Sequence, residues 1–441
     1  MQTKEELNEG LIAFLKASPT AFHAVAEMKK FLSSRGFREL AEGENWEVQP
    51  GGRYYVTRNG SSLIAFTVGP KDPCRNFQIA AAHTDSPAFK LKEKAELSTA
   101  GKYTRLNTEG YGGMICSSWL DRPLSIAGRV MTREADGSIR SRLLKIDRDL
   151  LLIPNVAIHM NRKVNEGVEL NKQVDMLPLL GGNTEEGALV RLIAKELSVR
   201  PEDILGSDLF LYNRENPTIW GIGREYISAP HLDDLQCAYA ILTAIAEGKR
   251  ADGINVAAFF DNEEVGSGTK QGADSTLLSD VLRRISFAFG LSESEYLRAL
   301  ASGYMISADN AHAVHPNHPE HTDANNCTYI NEGVVVKSHA GQKYTSDGAS
   351  IAILRELAHR AEVPLQYFAN RSDKAGGSTL GNIAAAHVSI PCVDVGLPQL
   401  AMHSSYETAG TGDTLHLVRL LGEFYATSIQ TAGDGCFALK K

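Results

Sequence analysis

The feature that most limits what this chain can fold into is a series of short, unbroken apolar runs alternating with helical patterns. FQIAAA from residue 77, INVAAFF (254–260), YMISA (304–308), GVVVK (333–337) and PCVDVG (391–396) lack the in–out polarity of a strand with one wet face. They read as strands buried on both sides. Apolar-periodic helices are expected over 235–247 and 349–361, between those runs. Alternating strand and helix predicts an α/β fold: a mostly parallel central sheet sandwiched by helices. In such sheets, ligands bind beyond the carboxyl ends of the strands.

Two other textures flank this pattern. The first 38 residues read as helical, with Leu7, Leu11, Phe14 and Leu15 at helical spacing, Ser18-Pro19 as a helix start and Gly36 as a stop. RYYVTR and SSLIAFTVG flank Asn59-Gly60, a hairpin signal because both turn residues tolerate positive φ. Between residues 90 and 215 a second hairpin is expected to turn at Asp136-Gly137, followed by a helix over 185–197 and the strand-like DLFLYN. This stretch reads as an inserted, β-rich second domain. The remaining segments, 1–89 and 216–441, then form one discontinuous catalytic domain. Two domains suit a chain of 441 residues at about 150 per domain.

The charge sum is −8, with 45 basic against 53 acidic residues, so no basic field exists to hold nucleic acid or an anionic membrane. No run approaches the ~18 apolar residues of a membrane span. The opening MQTKEELNEG lacks the basic start and apolar core of a signal peptide. Six cysteines without a CxxC pair read as reduced, buried thiols. A cytoplasmic location is the expectation.

Polar residues gather at the ends of the apolar runs. His83-Thr84-Asp85 follows IAAA, and Asp261-Asn262-Glu263-Glu264 follows INVAAFF. Asp309 follows MISA, His403 comes soon after VDVG, and Asp233-Asp234 opens the 235–247 helix. Carboxylates crowded into one crevice repel unless a cation compensates them. Mixed His, Asp and Glu donors suit zinc, manganese or cobalt rather than calcium. Taken singly, each residue has a plainer reading; Asp234, for example, could cap its helix. His312, His315, His318 and His321 are left as loop histidines.

The combination resembles a known family. AAHTDSP around His83 and Asp85, DNEEVGS at 261–267, SADNAHAVHPN at 307–317 and PQLAMHS at 398–404 look like the M18 metalloaminopeptidases, the aspartyl aminopeptidase family. The likeness runs over nearly the whole chain. It implies that His83 and Asp309 hold one divalent metal, Glu264 and His403 a second, and that Asp233 bridges them. Two ions per subunit follow, zinc first, with cobalt or manganese as alternatives. Asp85 would orient the His83 imidazole, and Glu263 would be the general base towards a metal-bridging water.

The resemblance also makes 90–215 a dimerisation domain whose His159 enters a neighbouring subunit's site, within dimers that build a tetrahedral dodecamer. Substrates are peptides with a free N-terminus. Family members that prefer acidic N-termini carry a lysine in the pocket, and Lys337 stands at the matching position, 28 residues past Asp309. Arg371 and Lys374 are rival cations. A lysine placed to meet a ligand's charge is expected to hold little else. The alternatives are a dinuclear amidohydrolase or deacylase, a broader neutral-residue aminopeptidase, and a non-catalytic scaffold.

Overall fold

The computed structural model describes residues 2–248 and 250–440. Its centre is a nine-stranded mixed sheet. The strands lie in the order Arg38–Glu39, Arg53–Arg58, Ser62–Val68, Ile254–Phe260, Phe77–His83, Tyr304–Ala308, Cys392–Gly396, Val334–Lys337 and Leu365–Phe368. Five of its eight pairings are parallel. The antiparallel ones are the Asn59-Gly60 hairpin, its junction with Ile254–Phe260, and the pairing of Cys392–Gly396 with Val334–Lys337. Asn59 and Gly60 both take positive φ, at 60° and 69°, as the hairpin signal requires.

Both faces of this sheet are covered, which explains its unbroken apolar strands. Successive residues point to opposite sides. Ala80, Ala82, Ala257 and Phe259 meet a core built with the helices Lys4–Ala17, Ala21–Ser33, Leu232–Glu247, Gly348–Ala361 and Asp413–Ala426. Ile79, Ala81, Val256, Ala258 and Phe260 meet a second core with Leu277–Ala288, Glu293–Ala301 and Leu380–His387. Each fully buried Phe or Ile contributes roughly 1.5–3 kcal/mol of apolar burial. This is the helix-covered α/β sheet expected from the sequence.

A separate six-stranded antiparallel sheet is drawn entirely from residues 88–213, with outer strands Ile139–Lys145 and Leu179–Gly182. It encloses its own core around Phe89, Trp119, Ile126 and Leu211. The chain enters it directly after Asp85, so its first strand, Ala88–Thr99, starts beside the strand-end residues of the main sheet.

Some boundaries differ from expectation. The second helix begins at Ala21 with Thr20 as its N-cap, so Ser18-Pro19 belongs to the preceding turn. The helix expected at 185–197 begins at Ala188, because Gly187 at φ 77° breaks the helical path before it. All six cysteines are free, but only Cys237 and Cys392 are buried; Cys436 is exposed.

Candidate metal centre

Parallel register sets up the site. Phe260 pairs with His83, so these neighbouring strands end level with one another and release His83 and Asp261–Glu264 at the same edge. Tyr304–Ala308 pairs on the other side of Phe77–His83 and delivers Asp309 there. Asp233 comes from the start of Leu232–Glu247, where the Asp233–Asp234 peptide is cis and both residues depart from helical geometry. His403 occupies the turn between Pro398–Leu400 and Glu407–Gly410. His231, Asn262 and His403 all take left-handed backbone conformations, with φ of 63°, 64° and 67°. Such strain collects at functional sites.

Side chains from these elements converge. His83 Nε2 lies 3.5 Å from Asp233 Oδ1, and His403 Nε2 lies 3.4 Å from Asp233 Oδ2 and 3.3 Å from Glu264 Oε1. Donor atoms of His83, Asp233 and Asp309 fall within 4.8 Å of one another, as do those of Asp233, Glu264 and His403. Asp233 is common to both triads. A third group joins His83 with Glu263 and Glu264. They line a cleft of about 360 Å³ together with Lys337, Tyr344, Phe368 and Met402.

The electrostatics ask for a cation. Burial raises Glu263 to about 8 and Glu264 to about 7, with neighbouring carboxylates adding to it. Asp309 is raised as well, by burial first and then by Asp233. Against the opposing effect of burial, Asp233 is held below its usual range by the His403 and His83 imidazoles beside it. Burial would lower both imidazoles, but Asp233 and its acidic neighbours raise them, His403 to about 11. Without a cation the cluster therefore balances its charge with protons. Asp233 Oδ1 and Glu264 Oε1 are buried without a hydrogen-bond partner. Orphaned oxygens beside two imidazoles are the donor set of a zinc-class ion, and the residues fit one.

Supporting contacts fix these groups. His83 Nδ1 sits 3.0 Å from the Asp85 carbonyl oxygen and 3.5 Å from Asp85 Oδ1. The Asp85 carboxylate also accepts the backbone N–H groups of Glu263 and Glu264, at 3.1 and 3.2 Å. Asp234 neither caps the helix nor joins either triad. Its Oδ2 accepts the His83 backbone N–H at 3.1 Å, and His231 occupies the N-cap position.

Lys337 is buried in the cleft, and its Nζ donates to the Asn310 carbonyl at 2.8 Å and lies 3.6 Å from Asp309 Oδ1. The expectation that it holds little else was wrong: it is tied to the strand end that carries Asp309. The reason is local, since Asp309 and Asn310 sit on a strand end beside it. Arg371 pairs with Asp373 and donates to the Glu320 carbonyl, while Lys374 is exposed; neither lines the cleft. His159 lies on an exposed turn and is also absent from the cleft lining.

Two residues escaped the sequence reading. Glu407, buried, accepts the backbone N–H of Asp233 at 3.0 Å and of His403 at 2.7 Å, holding two cluster residues with one carboxylate. Tyr111 donates to Asp85 Oδ2 at 2.7 Å and accepts from Asn262 Nδ2 at 2.8 Å. Nothing in the spacing marks either. Just past Tyr111, the Ile115 N–H donates to the His403 carbonyl at 3.0 Å. A Cβ at Gly112 would lie 3.2 Å from Glu264 Cβ, so a side chain there crowds that residue.

The model of the aminopeptidase I zinc metalloprotease family (M18) matches residues 14–425. The chain belongs to the M18 family. A probable M18 family aminopeptidase 2 of Clostridium acetobutylicum is 47% identical over 431 residues, covering 96% of this chain and 100% of that one. A chain in the cryo-EM structure of the Ape4 and Nbr1 complex superposes with a TM-score of 0.92 at 36% identity, covering 96% of this chain and 86% of that one. The S. cerevisiae mApe1 dodecamer structure gives a TM-score of 0.84 at 28% identity, each chain covered to 96%. The protein is thus an M18 zinc metalloaminopeptidase, as the motifs implied.

Proposed function

We propose that this M18 enzyme is a dinuclear aminopeptidase that prefers acidic N-terminal residues. One observation carries the proposal: two donor triads share Asp233 in a cleft that also holds Glu263 and the Lys337 ammonium. In this reading His83 and Asp309 complete one metal position, Glu264 and His403 the other, and Asp233 bridges. Zinc is favoured, and cobalt and manganese accept overlapping donors. When bound, the ion pair supplies Lewis-acid polarisation of the scissile carbonyl and an acidified water.

The chain's own residues do the proton work. Glu263 takes a proton from the attacking water and returns it to the leaving amine. Asp85 steadies both glutamates through their backbone amides and shares in orienting His83. The substrate's α-ammonium is read by the carboxylates that line the cleft. Lys337 selects the side chain. Asp309, once engaged as a ligand, no longer neutralises the ammonium, and an acidic side chain supplies the missing counter-charge. A lysine has three donors, and Asn310 takes one.

The segment 90–215 is the proposed dimerisation domain, inserted in a catalytic domain made of 1–89 and 216–441. His159 sits among Val156, Ile158 and Met160, which are 53%, 50% and 84% exposed, a row suited to a subunit interface. In the dimer, His159 would enter the neighbour's cleft and steady the charge developing on the carbonyl oxygen. Assembly of dimers into a tetrahedral dodecamer is proposed by likeness to the dodecameric S. cerevisiae relative. Six free thiols suit a reducing cytoplasm.

A substrate panel tests this reading. Anilides of Asp, Glu, Leu and Lys are assayed beside N-acylated amino acids, before and after chelation. Chelator-sensitive hydrolysis fastest on Asp and Glu is expected. Faster cleavage of the acylated compounds, or no preference for acidic residues, would reject it.

A further inference from the structure

The histidines of DNAHAVHPNHPEH divide into two sets. His312 lines the cleft, whereas His315, His318 and His321 are exposed outside it. These three recur every third residue, and Pro316 and Pro319 follow the first two. Proline fixes φ near the value a tight turn needs. The backbone makes two successive three-residue turns: the His318 N–H donates to the His315 carbonyl at 3.1 Å, and the His321 N–H to the His318 carbonyl at 3.2 Å. The imidazoles form a column, with ring centroids 5.2 and 5.5 Å apart and planes tilted by 34° and 32°.

Glu320 closes the column on one side. Its Oε1 lies 3.0 Å from His318 Nδ1 and 4.0 Å from His321 Nε2. Donor atoms of His318, Glu320 and His321 all fall within 4.8 Å of one another. His315 Nδ1 accepts the Asn317 N–H at 3.2 Å, which leaves Nε2 as its available nitrogen. A His318–Glu320 hydrogen bond accounts for one ring, but not for the alignment of three. Imidazole nitrogens with one carboxylate are the donors of a zinc-class ion.

We infer that His318, Glu320 and His321, with His315 beside them, form a surface site for an additional divalent transition-metal ion, separate from the cleft. The site lies outside the cleft and is joined to its wall by the chain. Arg371 donates to the Glu320 carbonyl, and the Ala369 N–H to the Asn326 carbonyl at 3.5 Å. The column is thereby tied to segment 369–373, and the same stretch of chain continues to Gly377, Ser378 and Thr379 in the cleft wall.

The test counts metal against matched variants, so it does not depend on whether the cleft holds one ion or two. Zinc-loaded enzyme, freed of excess metal, is titrated with Zn²⁺ under elemental analysis, wild type beside His318→Ala and His321→Ala. Wild type should take up one Zn²⁺ per chain more than either variant, with affinity for that ion falling more than about tenfold on loss of a ligand. Turnover at the filled cleft should be retained in both variants. A second measurement needs no variant: Zn²⁺ should protect His315, His318 and His321 from diethyl pyrocarbonate, read by peptide mass spectrometry. Equal metal uptake in wild type and both variants, or imidazoles left unprotected at saturating Zn²⁺, would overturn the site.

Discussion

In the nine-stranded body, apolar side chains are hidden and charge is crowded inside; in the six-stranded insert, the uncovered feature is apolar. The body buries His83, Asp233 and Asp309 at one strand edge, beside Glu263 and Glu264, whose carboxyls burial raises to about 8 and about 7. The insert leaves Ile115, Leu152, Val156, Ile158, Met160, Val168 and Val174 exposed. Several of them ring a cavity of about 750 Å³ that also takes in Tyr103, Leu170 and Leu179. One region gathers charge at a strand edge, and the other turns apolar side chains outward. Tyr111, Gly112 and Ile115 join the two regions at the Glu264–His403 side of the cluster.

The sharpest way to isolate the body's chemistry is Glu263→Gln. The amide keeps the shape of the side chain but cannot accept a proton. Turnover should fall about a hundred- to ten-thousand-fold with metal content unchanged by elemental analysis. Near-normal turnover in metal-replete protein would move the base to another residue, with Asp234 the first to examine.

The insert's part is separated by complementation. His159→Ala should keep its metal and lose most activity, and mixing it with Glu263→Gln subunits should restore some turnover. A hybrid interface contains one site with both wild-type residues. If subunit exchange is proven and no activity returns, His159 does not act across the interface.

In the proposed reading, substrate choice rests on Lys337 in the body. Lys337→Leu leaves an acidic substrate side chain desolvated without a partner, a cost of about 2–5 kcal/mol. The kcat/KM for N-terminal Asp and Glu should fall far more than for Leu. Stability should also drop by about 1–3 kcal/mol, because the Asn310 carbonyl loses its donor. Equal losses on acidic and neutral substrates would remove Lys337 from the pocket.

The smallest effect is one of pH. Glu263 and Glu264, raised to about 8 and about 7, and His403, raised to about 11, bind more protons in the folded metal-free protein than in the unfolded chain. Their contribution is full below their unfolded values and is lost as pH rises through the folded ones. Metal-free protein should therefore lose stability from about pH 5 to about pH 8 through the glutamates, and on towards about pH 11 through His403. Metal replaces those protons, so the Tm gap between loaded and stripped protein should widen with pH. A constant or narrowing gap would contradict this charge balance.

The legible parts of the molecule were those whose signal is local. INVAAFF and YMISA fall on observed strands because burial on both faces makes them apolar throughout. The polar residues behind them were legible as a converging set because parallel strands end at one edge. Glu407 and Tyr111 were not, since each acts through contacts distant in sequence: Glu407 reaches Asp233, and Tyr111 reaches Asp85 and Asn262. The bond from Lys337 to Asn310, 27 residues earlier, was invisible for the same reason. Helix starts slipped by a few residues because Pro19 and Gly187 act through backbone geometry that neighbouring residues can override.

The central claim is that two metal positions share Asp233, and metal titration tests it most directly. Stripped enzyme is titrated with Zn²⁺ while cleft-bound metal and aminopeptidase turnover are followed together, in the His318→Ala background so that the surface histidines do not contribute. The account predicts that full turnover needs two ions per chain and that Asp233→Ala weakens both. Full turnover with a single bound ion, or two ions held undiminished by Asp233→Ala, would contradict it.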